Sequence, residues 1–271
     1  MQAKKEIVAG RLYIQTMYSA GMLPGMRPAE RRKRMRVTSE AKQKINRLNR
    51  EFELVILFEL NFRRGRDLFV ELGFREEPAD RKTEQRALER FHKRMKKHMQ
   101  EKGRVYRYIL VRETHGRDGR SVRAHYHLIC TGCGRQMREV IAAAWDVGSV
   151  DVRTLRDFGG SFEDTVQYLL KERKEDGERA YRCSRNLKRP DEPLRRKVRE
   201  SEIGEVPPGV EPMRVSICAD NPFGRYSIIV GRITDAAAFG RYWEKAKLDR
   251  RRSEEAGNWA RYARQKRRRN G

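Results

Sequence analysis

Residues 122–132 read VRAHYHLICTG, and the reading of this stretch decides the fold. β-Branched, aromatic and aliphatic residues dominate it, so it reads as a strand. Side chains of a strand alternate between faces, so His125 and His127 point one way and Tyr126 the other. Two imidazoles on one strand face fit three readings: coincidence on an exposed sheet, a corner of a structural zinc site, or the floor of a catalytic metal site. VYRYILVRE (105–113) is a second strand, joined to the first through the turn signal HGRDGR (115–120). Such a hairpin brings Glu113 beside the imidazoles. Two imidazoles and one carboxylate leave positions open on a divalent ion, which suits Mg2+ or Mn2+ bound also to phosphate oxygens, with zinc admitted by ligand type.

Outward from this hairpin, NFRRGRDLFVELGF (61–74) holds a strand in which Leu68, Val70 and Leu72 alternate with Phe69 and Glu71. Asp80 opens a helix with the stripe Leu88, Phe91, Met95 and Met99, closed by Gly103. Met137, Val140, Ile141, Ala144 and Trp145 form a second helical stripe that stops near Gly148. SVDVRTL alternates as a strand, and Ser161 with Asp164 resembles a capping pair for a helix over FEDTVQYLLKER (162–173). The order β-α-β-β-α-β-α predicts an α+β fold, an antiparallel sheet with flanking helices. The first sixty residues read as helical, with Ala41, Ile45, Leu48, Phe52 and Ile56 at helical spacing behind Thr38. Beyond Pro190, MRVSIC and RYSIIVGRI around ADNPFG suggest a hairpin, followed by a basic helix or tail. Three segments follow: an N-terminal helical segment (1–60), a central domain (61–190), and a C-terminal hairpin with a basic helical tail (191–271).

Charge is the dominant feature of the composition. Lys and Arg number 63 against 38 acidic residues, a formal net charge of +25. Any one basic run is explained by a solvated face, but a whole chain so unbalanced calls for a polyanion, and nucleic acid is the implied partner. No apolar run approaches the roughly 18 residues of a membrane span, and the N-terminus lacks the apolar segment of a secretory leader. Four cysteines do not make a disulfide framework in 271 residues. These features predict a protein of a reducing cytoplasm, without a membrane partner.

On a helical wheel of residues 161–173, Phe162, Val166, Leu169 and Leu170 share one side. Tyr168 falls opposite them, with Lys171 one turn on and Asp164 one turn back. A core tyrosine shares the leucine face; this one is either a half-exposed aromatic or a nucleophile with a cation beside it. A phenol must ionise to attack phosphate, and a nearby ammonium or divalent ion favours that state. The product is a covalent phosphotyrosine that keeps the bond energy for rejoining. Single-stranded DNA fits such a site, because a phosphate in a duplex must first be extruded.

The HYH triplet with an upstream glutamate, followed by YLLK (168–171), resembles the HUH endonuclease superfamily, and within it the single-tyrosine initiators of rolling-circle replication in plasmids and phages. DLFVELGF (67–74) is similar to that family's first strand motif, with Glu71 where a threonine is usual. WDVGSVDVRTL and RCSRNLKRP resemble segments around its catalytic helix. The resemblance implies a ferredoxin- or RRM-like core in which His125, His127 and Glu113 bind Mg2+ or Mn2+. It implies that Tyr168 takes the 5′ phosphate, that Lys171 steadies the phenolate or orients the phosphate, and that a 3′ hydroxyl is left for a host polymerase. The substrate it implies is single-stranded or hairpin DNA at a replication origin. No Walker-type signature occurs, so a helicase comes from the host. Relaxases and single-strand transposases share this chemistry, and a non-catalytic nucleic-acid binder is the reading from another class. Cys130 and Cys133 form one Cys-x-x-Cys, half of a zinc site at most. His115 is expected in the turn, and His92 and His98 are expected on a solvated helix face.

Overall fold

Residues 108–115 and 121–130 pair as antiparallel strands, as the sequence predicts. The computed structural model describes residues 2–19, 40–115, 120–132, 136–156, 161–171, 180–199, 202, 204–218 and 226–269. In chain order the elements are β1 (Gln2–Ala9), β2 (Leu12–Ser19), α1 (Glu40–Asn61), β3 (Leu68–Phe74), α2 (Arg81–Glu101), β4 (Tyr108–His115), β5 (Ser121–Cys130) and α3 (Met137–Ala144). They continue with β6 (Gly148–Thr154), α4 (Glu163–Leu169), β7 (Arg182–Cys183), β8 (Leu194–Val198), β9 (Val210–Cys218), β10 (Tyr226–Ile233) and α5 (Ala236–Arg269). The chain divides into a central unit, residues 47–189, and a terminal unit, residues 1–46 with 190–271. Each contains one five-stranded antiparallel sheet, so the fold class is α+β.

The central sheet has the order β6-β3-β5-β4-β7. One face carries Leu68, Val70, Leu72, Tyr126, Leu128 and Leu110, which pack against Leu88, Phe91, Met95 and Met99 of α2 and against Met137, Ile141 and Trp145. These are the two helical stripes read from the sequence, and burial of each large side chain contributes roughly 1.5–3 kcal/mol. Asp80 caps α2 by accepting from Thr83 N at 2.7 Å. Gly103 ends the helix run at φ 63°, a left-handed conformation that costs a side-chain-bearing residue more. Tyr126 donates to the buried Glu84 of α2, and Arg112 holds the same carboxylate at 2.8 Å through Nε and Nη2. That network pins the Tyr126 face of β5 onto α2, so the faces of His125 and His127 are settled by it. On the other side of the sheet, Phe162 at the start of α4 stacks at 5.4 Å on Phe58 of α1, with the Arg64 guanidinium 4.1 Å over its ring. The segment after β7 straps the edge of β4: Ser184 exchanges hydrogen bonds with Tyr108, and Asn186 donates to Tyr106 O.

The terminal sheet has the order β8-β1-β2-β10-β9. Here the structure corrects the N-terminal expectation: residues 2–19 are a hairpin turning through Gly10–Arg11, and helix begins only with α1. The residue types are strand formers, but the inward face of β1 carries Lys4 and Glu6, 3% and 0% exposed, which inverts the usual hydropathy alternation. Glu6 accepts from Tyr13 at 2.6 Å and from Tyr242, and pairs with Arg196 at 3.0 Å and Lys4 at 3.3 Å. β9 and β10 form the predicted hairpin, while ADNPFG lies outside the described residues, as does Thr38. The basic tail is the helix α5, capped by Asp235, which accepts from Ala237 N and Ala238 N at 2.9 Å. The side chains of Trp259 and Tyr262 lie outside the described residues.

Candidate metal centre and active site

Antiparallel register places Glu113 of β4 directly opposite His125 of β5, and His127 two residues further along the same face. The pairing is irregular just beyond, where Ser121–His125 of β5 spans Glu113–His115 of β4. One ligand atom each from Glu113, His125 and His127 lies within 4.8 Å of the others, the one such group of three among the described residues. His127 is 1% exposed and its Nε2 is 2.7 Å from Glu113 Oε2; His125 Nε2 is 3.8 Å from the same oxygen. The second carboxylate oxygen, Oε1, is held by Lys171 Nζ at 2.8 Å. One oxygen therefore faces the imidazoles while the other is taken by a cation.

The electrostatics suit ligand duty. Burial alone raises the Glu113 carboxyl, but the hydrogen bonds and charges of Lys171 and His127 outweigh it and hold the group below its ordinary value. Burial pushes the His127 imidazole below its ordinary value, against the pull of Glu113. His127 Nδ1 is buried with no hydrogen-bond partner among the described residues. The neutral ring therefore carries its proton on Nε2 and donates it to Glu113, and an ion bound at that nitrogen displaces the proton. Two imidazole nitrogens and one carboxylate oxygen converging this closely fit a divalent ion.

Tyr168 and Lys171 come to this group from α4 and its last turn. Phe162, Val166 and Leu169 are buried, as the wheel predicts, and Tyr168 is half-buried on the other side. Its ring centroid is 5.4 Å from that of His127, and Lys171 Nζ stands 4.3 Å over the Tyr168 ring. The helix is shorter than the sequence suggests. α4 ends at Leu169, residues 172–179 lie outside the described ones, and Ser161 bonds Glu163 N at 3.1 Å without Asp164.

Two residues of this face escaped the sequence reading. Phe69 packs 5.5 Å from the His127 ring and 6.3 Å from Tyr168, and Glu71 stands opposite His127 in register. The signal was present, since both alternate against the apolar residues of β3. Cys130 is buried in the core on the α2 side of the sheet and Cys133 lies outside the described residues. His115 ends β4 instead of lying in the turn, exposed and paired in register with Ser121. His92 is not solvated: its ring stacks on Tyr108 at 3.9 Å and meets Tyr106 OH at 3.0 Å.

Residues 67–174 match a family model of replication-associated proteins, the ORF2 type. The match runs from β3 through α4 and contains Glu113, His125, His127, Tyr168 and Lys171. It supports a replication-associated protein of the initiator type that interacts with DNA. No curated protein and no solved structure matches the chain. No helix among the described residues is long and apolar enough to cross a membrane.

Proposed function

We propose that the protein nicks and rejoins single-stranded DNA at a replication origin through a 5′-phosphotyrosine on Tyr168, and so initiates rolling-circle replication of a plasmid or phage-like element. The observation that carries this reading is the approach of Tyr168 and Lys171 to the face of the Glu113–His125–His127 group. Glu113 Oε2 and the two imidazoles hold Mg2+ or Mn2+, which polarises the non-bridging oxygens of the scissile phosphate and takes up charge in the transition state. The Tyr168 oxygen forms a bond to phosphorus as the bond to the 3′ oxygen breaks, and that oxygen leaves as a hydroxyl after gaining a proton. Lys171, between the Glu113 carboxylate and the Tyr168 ring, orients the nucleophile. Attack of a 3′ hydroxyl on the phosphotyrosine reverses the step, so one site both cuts and joins. The 3′ end serves a host polymerase, with a host helicase opening the duplex, in the cytoplasm.

The test is to incubate the full chain with end-labelled origin-type or random single-stranded oligonucleotides and Mn2+, then separate the products under denaturing conditions. A labelled adduct that survives boiling, depends on the metal and disappears in Tyr168→Phe is expected. A metal-independent product, or none with any oligonucleotide, overturns the reading.

A further inference from the structure

At the end of the central sheet, where β3 begins and β5 ends, Arg63, Arg66, Arg104 and Arg107 line a polar pocket of about 240 Å3. They come from the α1–β3 loop and from the α2–β4 loop, so the tertiary fold alone gathers them. Among the described residues no carboxylate stands within ion-pair distance of any of the four. The acid in their midst, Asp67, is 4% exposed and committed to backbone: its Oδ2 accepts from Arg63 N at 2.7 Å and its Oδ1 from Gly132 N at 2.9 Å. Asp67 thus ties the two loops to the end of β5 without pairing with a guanidinium. A side chain at Gly132 would lie 2.5 Å from the Arg66 carbonyl, so this close approach requires glycine. Arg107 is steered further by its bond from Nε to Asn186 O at 3.2 Å.

We propose that this pocket binds a backbone phosphate of the nucleic-acid strand that leads to the Tyr168 face. Guanidinium forks match phosphate oxygens in pairs, and four of them around one small polar cavity exceed what a solvated surface needs. The pocket lies about 16 Å along β5 from His127, at roughly 3.3 Å per residue, which a few nucleotides of extended strand bridge. The proposal rests on the nucleic-acid reading above but not on the nicking chemistry.

Binding of a labelled oligothymidylate to the full chain, followed by fluorescence anisotropy in EDTA across a salt series, tests it without any cleavage. Arg66→Gln with Arg104→Gln is expected to weaken binding roughly tenfold, about 1.4 kcal/mol, and to flatten the slope of log K against log salt by about 0.7 for one lost phosphate contact. Both side chains are exposed, so the melting temperature stays unchanged; Arg104→Gln alone, with a smaller loss of the same sign, serves if the double variant folds poorly. Lysine at both positions is expected to keep the slope and lose part of the affinity, since the charge stays and the fork goes. Affinity and slope equal to wild type in the double variant overturn the proposal. So does unchanged oligonucleotide binding alongside loss of inorganic phosphate binding by calorimetry, which assigns the pocket to a small anion. Tyr168→Phe is expected to bind as wild type does, so a failure of the nicking reading leaves this outcome legible.

Discussion

Lys171 Nζ lies 2.8 Å from Glu113 Oε1, while Glu113 Oε2 lies 2.7 Å from His127 Nε2. One carboxylate therefore couples the residue that follows the tyrosine helix to the imidazole pair. In Lys171→Met the carboxylate keeps its metal-facing oxygen but loses its cation. Adduct formation is expected to fall roughly tenfold or more, by the scale of a lost charged hydrogen bond, while the Mn2+ concentration for half-maximal rate changes little. An adduct rate unchanged by the substitution would remove Lys171 from the reaction.

Glu113→Gln keeps the shape of the side chain and removes the anion. Mn2+ affinity is expected to fall at least about a hundredfold, beyond the loss seen when only a supporting partner of a ligand is removed. Calorimetric titration reads this directly. Equal affinity in the variant would show that the ion, if bound, uses other ligands.

Phe69 touches both the His127 and the Tyr168 rings. Phe69→Ala opens space between the metal group and the nucleophile, and small misplacements of reacting groups are costly. The adduct rate is expected to drop by roughly tenfold to a hundredfold, with Mn2+ affinity retained. A loss of metal affinity of the same size would instead place Phe69 in support of His127 alone.

The terminal sheet depends on Glu6, buried between Lys4 and Arg196. Glu6→Gln leaves two enclosed cations without their anion, a change that costs about 3–5 kcal/mol. Urea unfolding followed by tryptophan fluorescence should show a correspondingly earlier transition. Wild-type stability in this variant would mean that water reaches the pair.

Burial moves the His92 imidazole down to about 4. Its folded pKa lies below its unfolded value near 6.5, so the unfolded chain binds the proton first. The contribution of the neutral ring is complete above pH 6.5 and is lost as pH falls toward 4. Between pH 6.5 and 4.5 the loss is about 2–3 kcal/mol at most. Unfolding free energies of His92→Phe at the two pH values are expected to differ by that much less than those of wild type; an identical pH dependence would contradict the buried neutral ring.

Local periodicity made much of the central unit legible. The period-2 alternation around His125 and His127 placed both imidazoles on one face, and the stripes of α2 and α3 identified the face opposite. The wheel of residues 162–171 separated Tyr168 from Leu169, which is buried. Charge pairs hid the rest. His92 was read as solvated because lysines and arginines surround it in the chain, whereas its neighbours in space are Tyr106 and Tyr108.

The sequence by itself determined which side chains share a strand face or a helix face, because those periods are properties of the backbone within a few residues. It also determined the polyanionic partner, because net charge needs no fold. Only the tertiary structure decided that Lys4 and Glu6 point inward, since a lysine and a glutamate that satisfy each other across one strand look like surface residues to any hydropathy measure. It alone decided that Lys171 reaches Glu113, that Phe69 meets Tyr168, and that four arginines from two loops share one pocket. Those relations join residues distant along the chain, and strand register and the crossing of helices over the sheet set their distances.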